Sequence, residues 1–272
     1  MHRASQGNYD IVDSFHGKDE LSETFRDLQS MIEEIRRKDA LFYQTQLREK
    51  ALENQQQQME FKMLASQINP HFLYNTLETI RMKAFTAGNR DVAGAIKLLG
   101  KSLRYVLDNT GTVSTSLERE VSYIQTYISI QQMRFGDRIR YCEDIQPGLD
   151  LCAYRILPLL IQPIVENAIS HGLEDKEKGG LICLRIFESE DTYLVIEVSD
   201  DGVGMDARTL EQLRQRITEK DTTRTRSIGL YNINQRIRLC YGSDYALEIH
   251  SNPGRGTTVS IRLPLCKILE EI

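Results

Sequence analysis

The spacing of apolar residues changes once along this chain, near residue 138, and the change limits the fold to two architectures in series. Before it, apolar residues recur at three- and four-residue steps, as on one face of an α-helix. After it, short alternating or apolar runs of strand length are interspersed with three helical segments. We therefore predict an α + α/β chain, in which helices precede a two-layer α/β sandwich.

The helical part predicts association between two copies of the chain. Leu21, Leu28 and Ile35 lie seven residues apart, a coiled-coil seam that continues less regularly. One exposed long helix is the alternative, but such an apolar stripe needs a partner. Two further amphipathic helices meet at the turn sequence 87–89 and form a hairpin that cannot bury both of its stripes alone. Pairing two hairpins in a homodimer gives a four-helix bundle.

Composition excludes several classes of function. The net charge is −5 and no long basic run exists, which argues against nucleic acid as a partner. The densest apolar run, Ile156–Val165, is interrupted by prolines and is shorter than the roughly 20 residues that span a bilayer. None of the five cysteines forms a CxxC pair, so we expect reduced structural cysteines in a cytosolic protein, without a metal or disulfide framework.

A proline precedes His71 within a helical pattern. Pro70 has no N–H to donate and its ring crowds the preceding turn, so we expect a kink that costs about 3 kcal/mol. Asn75 follows His71 by four residues and shares its helix face. In the alternative interpretation, Asn69 caps a helix that begins at Pro70, and His71 is a boundary residue without chemistry.

Four patterns in the second part fit one nucleotide site. They are Glu166-Asn167-Ala168 with His171 one turn on, the strand-ending turn Asp200–Gly204, the loop entering a helix at Ser227–Asn232, and the hairpin turn Gly254–Thr258. An Asn oxygen can ligate Mg²⁺, Asp200 can accept the adenine amine, and N–H groups at a helix start suit phosphates. Each pattern alone is weak. The polar run 220–226 is a candidate lid or a plain surface loop.

In their order and context, these patterns resemble the sensor histidine kinases of bacterial two-component systems. The segment Gln67–Asn75, Q-I-N-P-H-F-L-Y-N, resembles the phosphoacceptor motif of the LytS/YesM-like branch, and Asp19–Ile35 is similar to the second helix of a HAMP signal-transfer domain. The implied divisions are a partial HAMP-like segment (1–36), a coiled-coil linker helix (37–58), a dimerisation and phosphotransfer hairpin (59–116), a connector helix (117–137) and an ATP-binding catalytic domain of the Bergerat type (138–266).

The resemblance implies that Mg-ATP phosphorylates His71, which then passes the phosphoryl group to an aspartate in the receiver domain of a response regulator. The residues it assigns to the nucleotide are Asn167, which would also hold Mg²⁺, His171, Asp200, Gly202, Gly204, Gly229, Leu230 and Thr257. Thr257 would support Asp200 through water. Glu166 adjoins Asn167 and is a candidate base, with a salt-bridging helix residue as the alternative.

Two departures from the family pattern favour a slow kinase. Pro163 stands four residues before Asn167, and Ser227 replaces the first glycine of the third pattern. A nucleotide-binding dimeric signalling module with little or no kinase activity is therefore the main alternative. A serine kinase or ATPase of the same fold is another, which the His71 motif argues against. The HAMP-like opening predicts the cytoplasmic fragment of a bacterial membrane receptor, anchored through an absent N-terminal part.

Overall fold

The computed structural model divides the chain into two compact units, residues 1–64 and 65–272. It describes residues 70–109, 112–173, 176, 179–189, 193–218 and 228–265, together with seven exposed helical positions between residues 30 and 45. The predicted HAMP-like seam, the backbone before Pro70 on which the expected kink depends, and the candidate lid lie outside the described residues.

The predicted helical hairpin is present in the second unit. Helix α1 spans Pro70–Thr86 and helix α2 spans Arg90–Asn109. The turn between them contains Gly88, whose φ of 77° favours glycine. Asn89 caps α2, since its Oδ1 accepts the Val92 N–H at 3.1 Å. The turn chemistry read from the sequence therefore ends one helix and begins the next.

A connector follows the hairpin and begins with a short strand. Strand β1, Thr115–Ser116, leads into helix α3, Leu117–Phe135, where Ser116 Oγ accepts the Arg119 N–H at 3.3 Å. Strand β1 pairs with β3, Arg155–Ile156, in a two-stranded antiparallel sheet. The sequence pattern had placed residues 111–116 in a linker, because two residues are too few to show a strand period.

The predicted helix beginning near Ile156 is wrong at its start. Helix α4 spans only Gln162–Asn167 and continues as a π-helical segment, Ala168–Leu173. Pro163 lies in the first turn of α4, where its missing N–H is not needed. Ile156 instead belongs to β3, because Pro158 would interrupt a helix that began so early.

The five predicted strands form one mixed sheet. They are β2 (Ile139–Ile145), β4 (Gly180–Ser189), β5 (Tyr193–Asp200), β6 (Leu247–Asn252) and β7 (Gly256–Pro264), in the order β2-β4-β5-β7-β6. Strand β2 pairs in parallel with β4, and the other pairs are antiparallel. Alternate sheet residues join a core with α4, α5 (Ala207–Thr218) and α6 (Ile228–Tyr241). This is the predicted two-layer α/β sandwich.

One expectation about the cysteines is wrong. Cys142 on β2 and Cys183 on β4 are partners in the strand register, with their Cα atoms 4.7 Å apart, and they form a disulfide. Sequence spacing could not show this pairing, because the two residues are separated by 41 positions. Cys152 and Cys240 are free and exposed, and Cys266 lies outside the described residues.

Candidate active site

A cavity of 330 Å³ opens between the sheet and the helices of the sandwich. Its walls are formed by Ile164, Asn167, Ala168, His171, Gly172, Val198, Asp200, Gly204, Met205, Thr209, Gln212, Leu213, Arg216, Leu230, Ile249, Thr257 and Val259. Six of the predicted nucleotide residues are in this set, although they come from four separate segments of the chain. A largely apolar cavity with a few polar groups is typical of a small-molecule site.

Asp200, at the end of β5, supplies the acidic group of the cavity. Its Oδ1 accepts the N–H groups of Gly202 at 2.9 Å and Thr257 at 3.3 Å. Burial raises the pKa of this carboxyl, and these two hydrogen bonds oppose the rise. Within the described part of the chain, no group donates to Asp200 Oδ2. The carboxylate is therefore fixed by one oxygen and offers the other to a ligand that donates a hydrogen bond, such as an adenine amine.

Thr257 supports Asp200 more directly than the family resemblance implied. The backbone N–H of Thr257 makes the contact, and the Thr257 hydroxyl lies 2.9 Å from Ser251 Oγ. Asp200 pairs with Thr257 in the β5–β7 register, which explains the proximity. The sheet itself thus positions the acidic group.

The adjacent carboxylate, Asp201, makes its contacts within the protein. Its Oδ1 lies 2.9 Å from Lys176 Nζ and accepts the Leu181 N–H at 2.8 Å. These contacts tie the end of β5 to the start of β4. Asp201 is absent from the cavity wall, so only the first acid of the pair is available to a ligand there.

Asn167 is oriented by the residue that departs from the family pattern. The Asn167 Nδ2 donates to the Pro163 carbonyl at 2.6 Å. A carbonyl can only accept, so the amide nitrogen must face it. Asn167 lines the cavity, and no group of the described residues donates to its Oδ1. An amide oxygen is a ligand type that Mg²⁺ accepts, and this geometry fits a metal ion carried by nucleotide phosphates. A particular side chain at position 163 is not needed for this orientation.

Gly202 and Gly204 are required by packing beneath the cavity. A Cβ on Gly202 would collide with the Gly172 carbonyl, and one on Gly204 would collide with the Asn252 carbonyl. Gly204 also has a φ of 66°, which other residues rarely adopt. Gly204 lines the cavity and Gly202 does not. Close backbone contacts within the protein therefore account for both glycines without a ligand.

Helix α5 contributes a wall that the motifs did not reveal. Thr209, Gln212, Leu213 and Arg216 line the cavity from one face of this helix. Their spacing of three and four residues is the signal that could have identified the face. The sequence interpretation had assigned α5 no role in the site, because no glycine or acidic motif marks it.

Glu166 and Gly229 lie away from the cavity wall. Glu166 Oε1 accepts a hydrogen bond from the Gln162 side-chain amide at 2.8 Å. Burial, and to a smaller extent the charge of Glu166, raises the pKa of Tyr127 on α3 to about 12. Glu166 therefore faces α3. Gly229 is exposed in the first turn of α6, and the preceding Ser227 is outside the described residues.

His71 is exposed near the start of α1 and is likewise absent from the cavity wall. Asn75 Nδ2 lies 3.3 Å from both ring nitrogens of His71. The predicted same-face relation of these two residues is thus a direct contact. The structure brings the six cavity residues together and keeps the imidazole on a separate helix.

Two family models match the two halves of this arrangement. Residues 59–139 match the model described as histidine kinase, and residues 155–267 match the model of histidine kinase-, DNA gyrase B- and HSP90-like ATPases. The chain is 36% identical over 219 residues to the putative uncharacterized protein YwpD of Bacillus subtilis, covering 79% of this chain and 73% of YwpD. It is also 36% identical over 205 residues to the sensor histidine kinase YesM of Bacillus subtilis. The chain belongs to the sensor histidine kinase family.

The alignment with two named members of the sensor histidine kinase family is partial. The match with YesM covers 75% of this chain but 33% of YesM. The sensor protein kinase HptS of Staphylococcus aureus is 30% identical over 209 residues, covering 77% of this chain and 39% of HptS. The chain thus spans 33% of the length of YesM and 39% of the length of HptS. Among the helices that the structure describes, none has the length and apolar character needed to cross a membrane.

Proposed function

We propose that this chain is the kinase part of a sensor histidine kinase, which uses Mg-ATP to phosphorylate His71 and then passes the phosphoryl group to an aspartate of a response regulator. The observation that supports the proposal best is the combination of an exposed imidazole on a helical hairpin with a separate cavity that contains Asp200 and Asn167. A nucleotide-binding module alone would not need the exposed imidazole, and a phosphorelay protein alone would not need the cavity.

In this proposal the cavity holds the adenine and the start of α6 holds the phosphates. Asp200 Oδ2 accepts the adenine amine, while apolar residues such as Leu230 and Ile164 enclose the ring. Free N–H groups at a helix start and the helix dipole suit the phosphates near Gly229. Asn167 would hold Mg²⁺, which would neutralise charge on the phosphates during transfer. His171 and Thr257 complete the polar part of the wall.

His71 is the proposed nucleophile. A neutral imidazole presents one nitrogen lone pair, which would form the bond to the γ-phosphorus as the bond to the bridging oxygen breaks and ADP leaves. Asn75 contacts the ring and would hold its orientation. Because His71 is exposed, it can meet both a nucleotide domain and a receiver domain in turn.

The hairpin also supports the proposed homodimer. Phe72, Ile80 and Leu99 expose 64%, 46% and 50% of their surface, respectively, in the single chain. Burial of an apolar side chain of this size contributes about 1.5–3 kcal/mol when it is complete. A second hairpin would cover these side chains in a four-helix bundle. Light scattering at micromolar concentration should therefore report a dimer, and a monomer would contradict this part of the proposal.

Labelled ATP with Mg²⁺ tests the kinase directly. We expect an acid-labile, base-stable label on the wild-type chain, none on His71→Gln, and equal binding of an ATP analogue by both. His250→Gln is the matched control, since His250 is an exposed histidine outside the hairpin and the cavity. A wild-type chain that binds nucleotide but takes no label would favour the non-catalytic signalling module. Transfer of the label to a receiver domain tests the second step.

A further inference from the structure

A buried carboxylate joins the hairpin to the nucleotide domain. Glu120 lies in the first turn of α3 and is completely inaccessible to solvent. It accepts a hydrogen bond from the Tyr105 hydroxyl on α2. It also accepts the backbone N–H groups of Leu159 at 2.7 Å, Leu160 at 3.1 Å and Ile161 at 3.3 Å. One side chain thus contacts both the helix pair that carries His71 and the turn that leads to Asn167.

The turn at residues 158–161 directly precedes helix α4, and its last residue, Ile161, offers no side-chain cap to that helix. Glu120 instead pairs the backbone N–H groups of the turn itself, which are buried or partly buried and need an acceptor. Leu159 has a φ of 56°, a conformation that costs about 1–3 kcal/mol in a residue other than glycine. Such a backbone persists only when its surroundings hold it. The position of α4, and with it Asn167, therefore depends on these contacts.

The opposite side of the same turn is held by α6. Arg236 Nη2 donates to the Pro158 carbonyl at 2.6 Å, and Nη1 lies 3.5 Å from the Leu159 carbonyl. Helix α6 also carries Leu230, which lines the cavity. The turn is therefore held through its N–H groups by Glu120 and through its carbonyls by Arg236. Helices α4 and α6, which carry proposed nucleotide residues, are therefore linked to the hairpin through this turn and Glu120.

We infer that Glu120 is a positioning residue for phosphoryl transfer. Through its hydrogen bond from Tyr105, Glu120 holds the hairpin that carries His71 in a fixed position relative to the helix that carries Asn167. This inference rests on the proposed kinase function. Tyr105 is the residue at which the link can be cut selectively. Removing its hydroxyl leaves Glu120 with its three backbone donors, so α4 keeps its place while the hairpin loses its hydrogen bond to Glu120.

Kinetics of Tyr105→Phe test the inference. We expect the autophosphorylation rate at saturating ATP to fall about tenfold, equivalent to one hydrogen bond to a charged group, with the KM for ATP within about twofold of wild type. Tyr123→Phe is the matched control. The Tyr123 ring stacks on the Tyr105 ring with their centroids 4.4 Å apart, but the hydroxyl that binds Glu120 is that of Tyr105. Rates are expressed per bound nucleotide, so a loss of folded protein alone would not change them. A Tyr105→Phe rate equal to that of Tyr123→Phe would overturn the inference.

Hydrogen exchange of the ligand-free protein gives a reading that does not require kinase activity. Glu120→Gln should accelerate amide exchange both at residues 159–161 and in α2 around Tyr105. Ser122→Ala removes another contact between α3 and α2, the 3.1 Å bond from Lys101 Nζ, and should leave the turn unchanged. Acceleration at the turn alone would mean that Glu120 supports only the turn, and it would overturn the inference. If the wild type takes no label, the proposed function fails, and exchange alone decides the role of Glu120.

Discussion

Replacing Asp200 by asparagine tests the assignment of the cavity most sharply. The amide oxygen of the new side chain can still accept the N–H groups of Gly202 and Thr257, so the local backbone should remain in place. The amide nitrogen then replaces Oδ2 and presents a donor to the adenine amine, which is also a donor. Losing a hydrogen bond to a charged acceptor and leaving two donors opposed costs about 2–4 kcal/mol. The Kd for ADP should therefore rise about 30- to 1000-fold.

Whether Asp200→Asn weakens or strengthens binding should depend on which nucleobase the ligand carries. Hypoxanthine carries a carbonyl where adenine carries its amine, so an inosine nucleotide can accept a hydrogen bond from the amide introduced at position 200. Calorimetry with ADP and IDP should show a strong preference for ADP in the wild type and a reduced or reversed preference in Asp200→Asn. Asp201→Asn is the control, because Asp201 does not line the cavity. An Asp200→Asn protein that binds ADP within about threefold of wild type, with the same base preference, would refute the assignment.

Three further predictions concern Asn167, Glu166 and Asp200. Asn167→Asp places a carboxylate oxygen against the Pro163 carbonyl, so Mg-dependent binding of an ATP analogue should weaken about 10- to 100-fold by calorimetry, and unchanged affinity would exclude Asn167. If Glu166 is the base, Glu166→Gln should slow autophosphorylation about 10²- to 10⁴-fold at unchanged nucleotide affinity, and a rate within a few-fold of wild type would remove it from the mechanism. Burial raises the pKa of Asp200, so the folded state keeps the proton of this carboxyl to a higher pH than the unfolded chain does. The free energy of unfolding should therefore fall as pH rises from about 4 through the raised pKa of Asp200. Urea unfolding at several pH values measures this decrease, which Asp200→Asn should lack.

The sequence predicted most of the fold because its periods were strong. The five strands and the hairpin helices appear where the apolar spacing placed them. The start of α4 was wrong because an apolar run of this kind does not distinguish a short strand followed by a turn from a helix. The pairing of Cys142 with Cys183 depends on the register between strands, which no local pattern encodes.

The cavity was predictable only in part. Asp200, Asn167 and Thr257 belong to motifs with a recognisable order, so sequence reasoning could assemble them. The wall formed by α5 and the contacts of Glu120 depend on which helix packs where, and that is decided by tertiary structure. Leu159 gave no signal either, since a leucine with positive φ is set by its surroundings and not by its own preference.

The backbone packing at Gly202 and Gly204 has a consequence for how this protein would tolerate sequence change. In a saturation mutagenesis experiment, intolerance at these two positions would be expected even under selection for folding alone, because any side chain there meets a carbonyl oxygen. Intolerance at Asp200 would be expected mainly under selection for nucleotide use, since asparagine can keep its structural hydrogen bonds. Comparing the two selections would therefore separate the residues that build the cavity from those that recognise its ligand.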